Sequence, residues 1–153
     1  MLLLLRRAKR LLLSTVLGVF TRRVEEPPGK GGKKAIGAEG ERVAVRFLKK
    51  KGYKILQRNY RSKGGEIDII CYDHGCIAFV EVKTRFSNAY GAPELAVNET
   101  KRRQIIKTAS HYTAQKKIEG IDLRFDVVSI FHSPDAKCPT ITLFKNAFTK
   151  DDC

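Results

Sequence analysis

Residues 64–84, GGEIDIICYDHGCIAFVEVKT, constrain the fold of this chain more than any other stretch. Two runs rich in β-branched residues flank His74 and Gly75, which suit a tight turn, so the segment reads as a β-hairpin. Its acidic residues stand where alternation calls for apolar ones. Folding about the turn sets Asp68 opposite Glu81 and Glu66 opposite Lys83. In the first strand Ile67, Ile69 and Cys71 point one way and Glu66, Asp68 and Ile70 the other; in the second, Val80 and Val82 oppose Phe79, Glu81 and Lys83. Directly opposed residues have Cβ atoms roughly 4.5 to 5.5 Å apart, and like charges there destabilise a sheet. A divalent cation would compensate for the Asp68/Glu81 pair. The hairpin therefore predicts a metal-dependent site that cleaves phosphodiesters.

The chain has 153 residues, enough for one domain with a proper core. Thirty Lys and Arg against 16 Asp and Glu give a net charge of +14. The excess is shared evenly between residues 1–34 and 35–153, so the folded part is basic in its own right. Surface solvation also uses basic residues, but an excess of this size favours a polyanionic partner, either nucleic acid or an anionic membrane surface. Cys71, Cys76, Cys138 and Cys153 show neither C-x-x-C spacing nor neighbouring histidines placed as zinc ligands. They read as free thiols in a reducing, cytoplasmic setting, although the hairpin register would bring Cys71 and Cys76 onto one face. His74, His111 and His132 share no spacing, which argues against a histidine-based site. No P-loop, G-x-G-x-x-G or Ser-His-Asp set competes with the hairpin.

Residues 1–34 read as a basic, hydrophobic extension with a Pro/Gly linker, and 35–150 as the folded domain. The apolar run at 11–20 is short of the ~20 residues that span a bilayer, and Thr21, Arg22 and Arg23 follow it in place of a cleavage site. Residues 1–24 suit a loosely ordered or partly helical extension; a weak contact with a membrane surface is the alternative. Pro27, Pro28, Gly29, Gly31 and Gly32 then mark the linker.

Residues 36–51 follow a helical period, with Lys49, Lys50 and Lys51 in the last turn and Gly52 as the stop. Glu41 falls within about 60° of Ala44, Val45 and Leu48, on the inward stripe, while Glu39 points away. A carboxylate there is costly unless it is paired or serves a site; the plainer role is to favour the helix start through the dipole. Residues 53–60 alternate as a strand, with Arg58 and Arg61 near its end. The stretch 85–97 is a loop beside the site, suited to substrate contacts. Asn98 is an expected N-cap for a helix reaching about Lys117, with Ile105, Ala109 and Tyr112 buried and Lys101 at the stripe's edge. Arg102 and Arg103 splay away, so one turn offers three cations, Lys101, Arg102 and Arg103, to a phosphate backbone, or simply to solvent. Residues 123–131 read as a buried strand and 140–144 as a final short one. Asp126, within the former, pairs with a nearby Arg or Lys and has no catalytic role.

Mg²⁺ favours oxygen ligands at about 2.0 to 2.1 Å and keeps several waters, so two carboxylates and a substrate phosphate suffice. Asp68 and Glu81 are the expected ligands, joined by the Val82 carbonyl. Glu41 completes the shell or positions a second ion. Lys83 orients or acidifies the attacking water and binds phosphate as a point charge. Glu66, paired with Lys83, tunes that lysine. Arg61, Arg85, Lys101, Arg102 and Arg103 are the expected nucleic-acid contacts.

The order of helix-borne Glu41, then Asp68, then Glu81-Val82-Lys83 resembles the PD-(D/E)xK, or restriction-endonuclease-like, nuclease superfamily; Ile67 stands where its eponymous proline would be. The finer pattern GAEGERVAVRFLKKKGY, RNYRSKGGEIDII, FVEVKTR, YGAPELAV, KRRQI and RFDVV resembles the YraN family of small bacterial proteins, which are similar to archaeal Holliday-junction resolvases. It spans residues 36–148. The resemblance implies an α/β fold with a central mixed β-sheet flanked by helices, and Glu41, Asp68, Glu81 and Lys83 in the nuclease positions. It implies no settled activity. The expectation is an endonuclease that cuts branched or structured DNA with Mg²⁺ or Mn²⁺, and resolving a junction would require a homodimer. The alternative is a non-catalytic nucleic-acid-binding or scaffolding protein that retains the fold; the complete acid and lysine set argues against it.

Overall fold

The computed structural model describes residues 32–86, 97–133 and 135–152. The extension at 1–24, most of the linker, the interior of the 85–97 loop and Cys153 lie outside the described residues. Helix α1 (Gly32–Lys50) leads into strands β1 (Lys54–Ser62), β2 (Gly65–Asp73) and β3 (Cys76–Arg85). Helix α2 (Glu99–Gln115) then crosses to β4 (Asp122–Phe131), and β5 (Thr140–Phe148) closes the domain before a 3-10 turn. The five strands form one sheet in sequence order. Only β3 and β4 run parallel. This is the expected mixed α/β sheet, consistent with a restriction-endonuclease-like core.

The helices cover opposite faces. On α1, Ala44, Val45 and Leu48 recur at helical spacing and pack on Tyr53, Ile69, Ala78, Val80, Val128 and Ile130. On α2, Ile105, Ala109 and Tyr112 pack on Ile70, Phe79, Phe125, Val127 and Phe148. Each buried Val, Leu, Ile or Phe among them contributes about 1.5 to 3 kcal/mol. Gly52, at φ 89°, ends α1 while its N–H and that of Tyr53 bond to the carbonyls of Lys49 and Leu48. Asn98 caps α2 by accepting the Lys101 N–H at 2.9 Å.

The hairpin has the predicted register from Asp73↔Cys76 to Ile69↔Val80, where the ladder ends. Beyond it β2 pairs only with β1, and β3 only with β4, so the sheet parts. The faces of β2 depart from the expected alternation. Ile67 packs on the α2 side and Ile69 on the α1 side, although strict alternation put them together. The physical cause is a kink in both strands: between Arg58↔Ile69 and Tyr60↔Ile67 stand Asp68 and Asn59, the latter at φ 49°.

β5 runs four residues past the expected 144, through a register shift opposite Asp126 with Asn146 at φ 51°. Buried Asp126 accepts the Asn146 N–H at 2.9 Å and Arg124 Nε at 2.8 Å. Arg124 also reaches Asp73 at 2.8 Å and the Tyr53 hydroxyl at 3.1 Å, and Lys145 Nζ meets Asp73 at 3.0 Å. Asp126 thus pairs with an arginine, as expected. Cys71, Cys76 and Cys138 are free thiols. Among the described residues no helix is long and apolar enough to cross a membrane.

Candidate active site

A cleft of about 540 Å³ opens where β2 and β3 part, and Glu41, Glu66, Asp68, Glu81, Lys83 and Lys101 all line it. The fold delivers them from three directions. Asp68 sits at the kink, and its Oδ2 accepts the N–H of Val82 at 2.7 Å, which β2's backbone has left without a ladder partner. Glu81, only 4% exposed, projects from β3 toward the α2 side. Lys83 Nζ bonds to Glu81 Oε1 at 2.9 Å, and Lys101 Nζ approaches Oε2 at 3.3 Å. That Oε2 is buried and accepts no hydrogen bond.

Glu41 comes from α1. Gly40 allows this, because a Cβ there would lie 2.1 Å from Thr84 Oγ1, so only glycine brings the helix this close to β3. The Glu41 carboxyl hydrogen-bonds to Asn59, and burial raises its pKa above the usual carboxylate range. Burial, followed by the Glu81 charge, pushes Asp68 up to about 7 against the opposing Val82 hydrogen bond. Two neighbouring carboxylates, one held near neutrality, are what a cation would relieve. Glu41, Asp68 and Glu81 share the cleft without closing into a three-acid shell: among the described residues no three His, Cys, Asp or Glu side chains stand close enough to hold a metal ion. Asp68 and Glu81, with the orphaned Oε2, nonetheless fit an ion that retains much of its water.

Other expected residues are distributed differently. Glu66 pairs with Arg61 at 2.9 Å across β1 and β2, not with Lys83, because the β2–β3 ladder has ended before it. Lys101, Arg102 and Arg103 splay apart, as helical spacing predicts. Lys101 enters the cleft; Arg102 donates to the Val97 carbonyl at 2.8 Å and lies over the Phe148 ring, tying the helix start to the core. Arg103 pairs with Glu99 and lines a separate groove. Arg85 ends β3, where its carbonyl accepts the His132 N–H at 2.8 Å. Sequence reasoning missed Asn59, although asparagine is a residue type that tolerates the left-handed φ it adopts, and Phe86, which lines the cleft and stacks on His132 at 4.9 Å.

The family profile described as uncharacterised protein family UPF0102 matches residues 40–130. A UPF0102 protein of Trichlorobacter lovleyi is 49% identical over 121 residues, covering 78% of this chain and 94% of that one. A UPF0102 protein of Alkaliphilus metalliredigens is 47% identical over 115 residues, covering 75% and 98%. The chain belongs to the UPF0102, or YraN, family. The UPF0102 match begins at Gly40 and so includes Glu41, Asp68, Glu81, Lys83 and Lys101. The family description carries no activity, so the chemistry of this UPF0102 cleft rests on its geometry.

Proposed function

We propose that this UPF0102 protein is a metal-dependent endonuclease acting on branched or otherwise structured DNA. One observation carries the reading: Glu81 is a buried carboxylate with an oxygen that takes no hydrogen bond, held beside Asp68 in a cleft that Lys83 and Lys101 also enter. Asp68 and Glu81 would hold Mg²⁺ or Mn²⁺, with Glu41 beside them. When bound, the ion supplies a nucleophilic water and neutralises charge on the phosphoryl oxygens. Lys83, now hydrogen-bonded to Glu81, orients that water and meets the phosphate as a point charge. Lys101 adds a second cation from the α2 side. Asn59 fixes the Glu41 carboxyl, and the Val82 N–H fixes that of Asp68.

The test incubates the full chain with labelled branched and linear DNAs and Mg²⁺ or Mn²⁺, beside Asp68→Asn and Lys83→Ala. The expected result is metal-dependent cleavage of branched DNA by the parent protein and a loss of at least about 100-fold in either variant, with binding retained. Binding by all three proteins without cleavage by any would leave the non-catalytic binding protein as the better description.

A further inference from the structure

A second basic feature lies outside the cleft. A groove of about 360 Å³ runs between α2 and the β1–β2 turn, lined by Lys63, Gly64, Thr100, Arg103, Gln104 and Lys107. On α2, residues 100, 103, 104 and 107 share one stripe by helical spacing. Gly64 and Gly65 let the turn lie on that stripe: a Cβ would sit 3.1 Å from Lys107 Cγ at the first and 3.3 Å from Gln104 Cβ at the second. The close approach brings Lys63 to the groove, while Glu66, three residues on, stands in the cleft. Groove and cleft therefore come together at Thr100 and Lys101, adjacent on the helix, and at Gly64 and Glu66, two residues apart after the turn.

Among the described residues, three cations line this groove with no aromatic ring, and Glu99 pairs with Arg103 beside it. Single strands are held largely by stacking their bases on aromatic side chains, and no described residue of the groove provides that. Cations without a stacking platform match phosphates whose bases are occupied in a helix. The stripe spans about 10 Å at 1.5 Å per residue, long enough to meet more than one phosphate of a strand. Building on the DNA reading above, we propose that this groove binds the phosphate backbone of a base-paired duplex arm and leads it into the cleft. Lys63 and Lys107, together with Arg103, are the side chains that meet it.

Fluorescence anisotropy tests this with the full chain in EDTA, using a labelled duplex, a four-way junction and oligo-dT across about 50 to 200 mM salt. The parent protein is compared with Lys63→Ala/Arg103→Ala/Lys107→Ala, and with Lys49→Ala/Lys50→Ala/Lys54→Ala as a control of equal charge change on other exposed sites. The groove variant is expected to bind duplex and junction at least tenfold more weakly. Its slope of log affinity against log salt should be shallower by about 2 to 3, near 0.9 for each phosphate no longer neutralised, while oligo-dT binding and the control change little. If the parent binds duplex and the groove variant keeps its affinity and slope, or if the control loses as much, the groove assignment is overturned. A loss confined to oligo-dT overturns the duplex assignment. A parent protein that binds none of the three DNAs overturns the nuclease reading itself, and the groove with it.

Discussion

The Val82 N–H donates to Asp68 Oδ2 at 2.7 Å, so a side chain replaces the backbone bond where the β2–β3 ladder stops. The same carboxylate carries a charge beside Glu81, which with burial raises the Asp68 pKa from 3.8 to about 7. A carboxyl whose folded pKa is raised contributes stability below its ordinary value and loses it as pH rises through the raised one. Asp68→Asn retains an acceptor for Val82 and removes the charge. In EDTA it should raise the melting temperature by several degrees at about pH 8, at about 2 to 4 °C per kcal/mol for a chain of this size, and by much less near pH 5. Equal melting at pH 8 would refute the assignment.

Lys101 supplies the cation beside the orphaned Glu81 oxygen. Lys101→Ala should therefore destabilise the metal-free protein, by less than the about 3 to 5 kcal/mol for breaking a fully buried pair, because Lys83 still holds the other oxygen. Mn²⁺ should restore much of the loss, since a ligand at 100 times its Kd stabilises by about 2.7 kcal/mol. Thermal unfolding with and without Mn²⁺ measures both. A deficit untouched by saturating Mn²⁺ would count against ion binding at Glu81.

Arg124 holds two buried carboxylates at once. Arg124→Ala should cost up to about 3 to 5 kcal/mol in urea unfolding, because it removes the cation that both share and leaves Asp126 only the Asn146 N–H. Burial raises the Asp73 pKa, but hydrogen bonds from Arg124, His74 and Lys145 outweigh it and hold the group well below its usual range. A depressed carboxyl contributes stability above its unfolded value and loses it as pH falls. The gap between parent and variant should accordingly narrow below about pH 4; a gap constant with pH would contradict this network.

Gly40→Ala places a methyl 2.1 Å from Thr84 Oγ1 and should cost about 1 to 3 kcal/mol through overpacking. Thr84→Ala in the same chain should recover most of that loss. Additive penalties in the double-mutant cycle would show that the two residues do not meet.

The sequence made the hairpin register legible because a Gly-containing turn and a period-2 pattern fix which residues face each other. Where the ladder would stop was not legible: alternation has no mark for strands that part, and Glu66 was accordingly matched to Lys83 in place of Arg61. The inward placement of Glu41 followed from helical spacing alone. The splay of Lys101, Arg102 and Arg103 was legible, because 100° per residue turns them in three directions; which of them would enter the cleft was not. The same rule, applied four residues on, would have joined Arg103 to Lys107. The last strand was cut short because Lys145 and Asn146 interrupt its apolar pattern, and the partner that accommodates them, Asp126, lies on another strand.

The sheet's neighbours are also neighbours in sequence, and a single pairing, β3 with β4, must wait for α2 to cross over. Local contacts of this kind form early in folding, and those that close longer loops form later. A chain emerging from synthesis can therefore complete the β2–β3 hairpin, with Asp68 and Glu81, before Lys101 and the groove of α2 arrive. An immature protein would hold its acids without its second cation until the crossover docks. Hydrogen exchange during refolding should show the β2–β3 pairing protected ahead of the β3–β4 pairing.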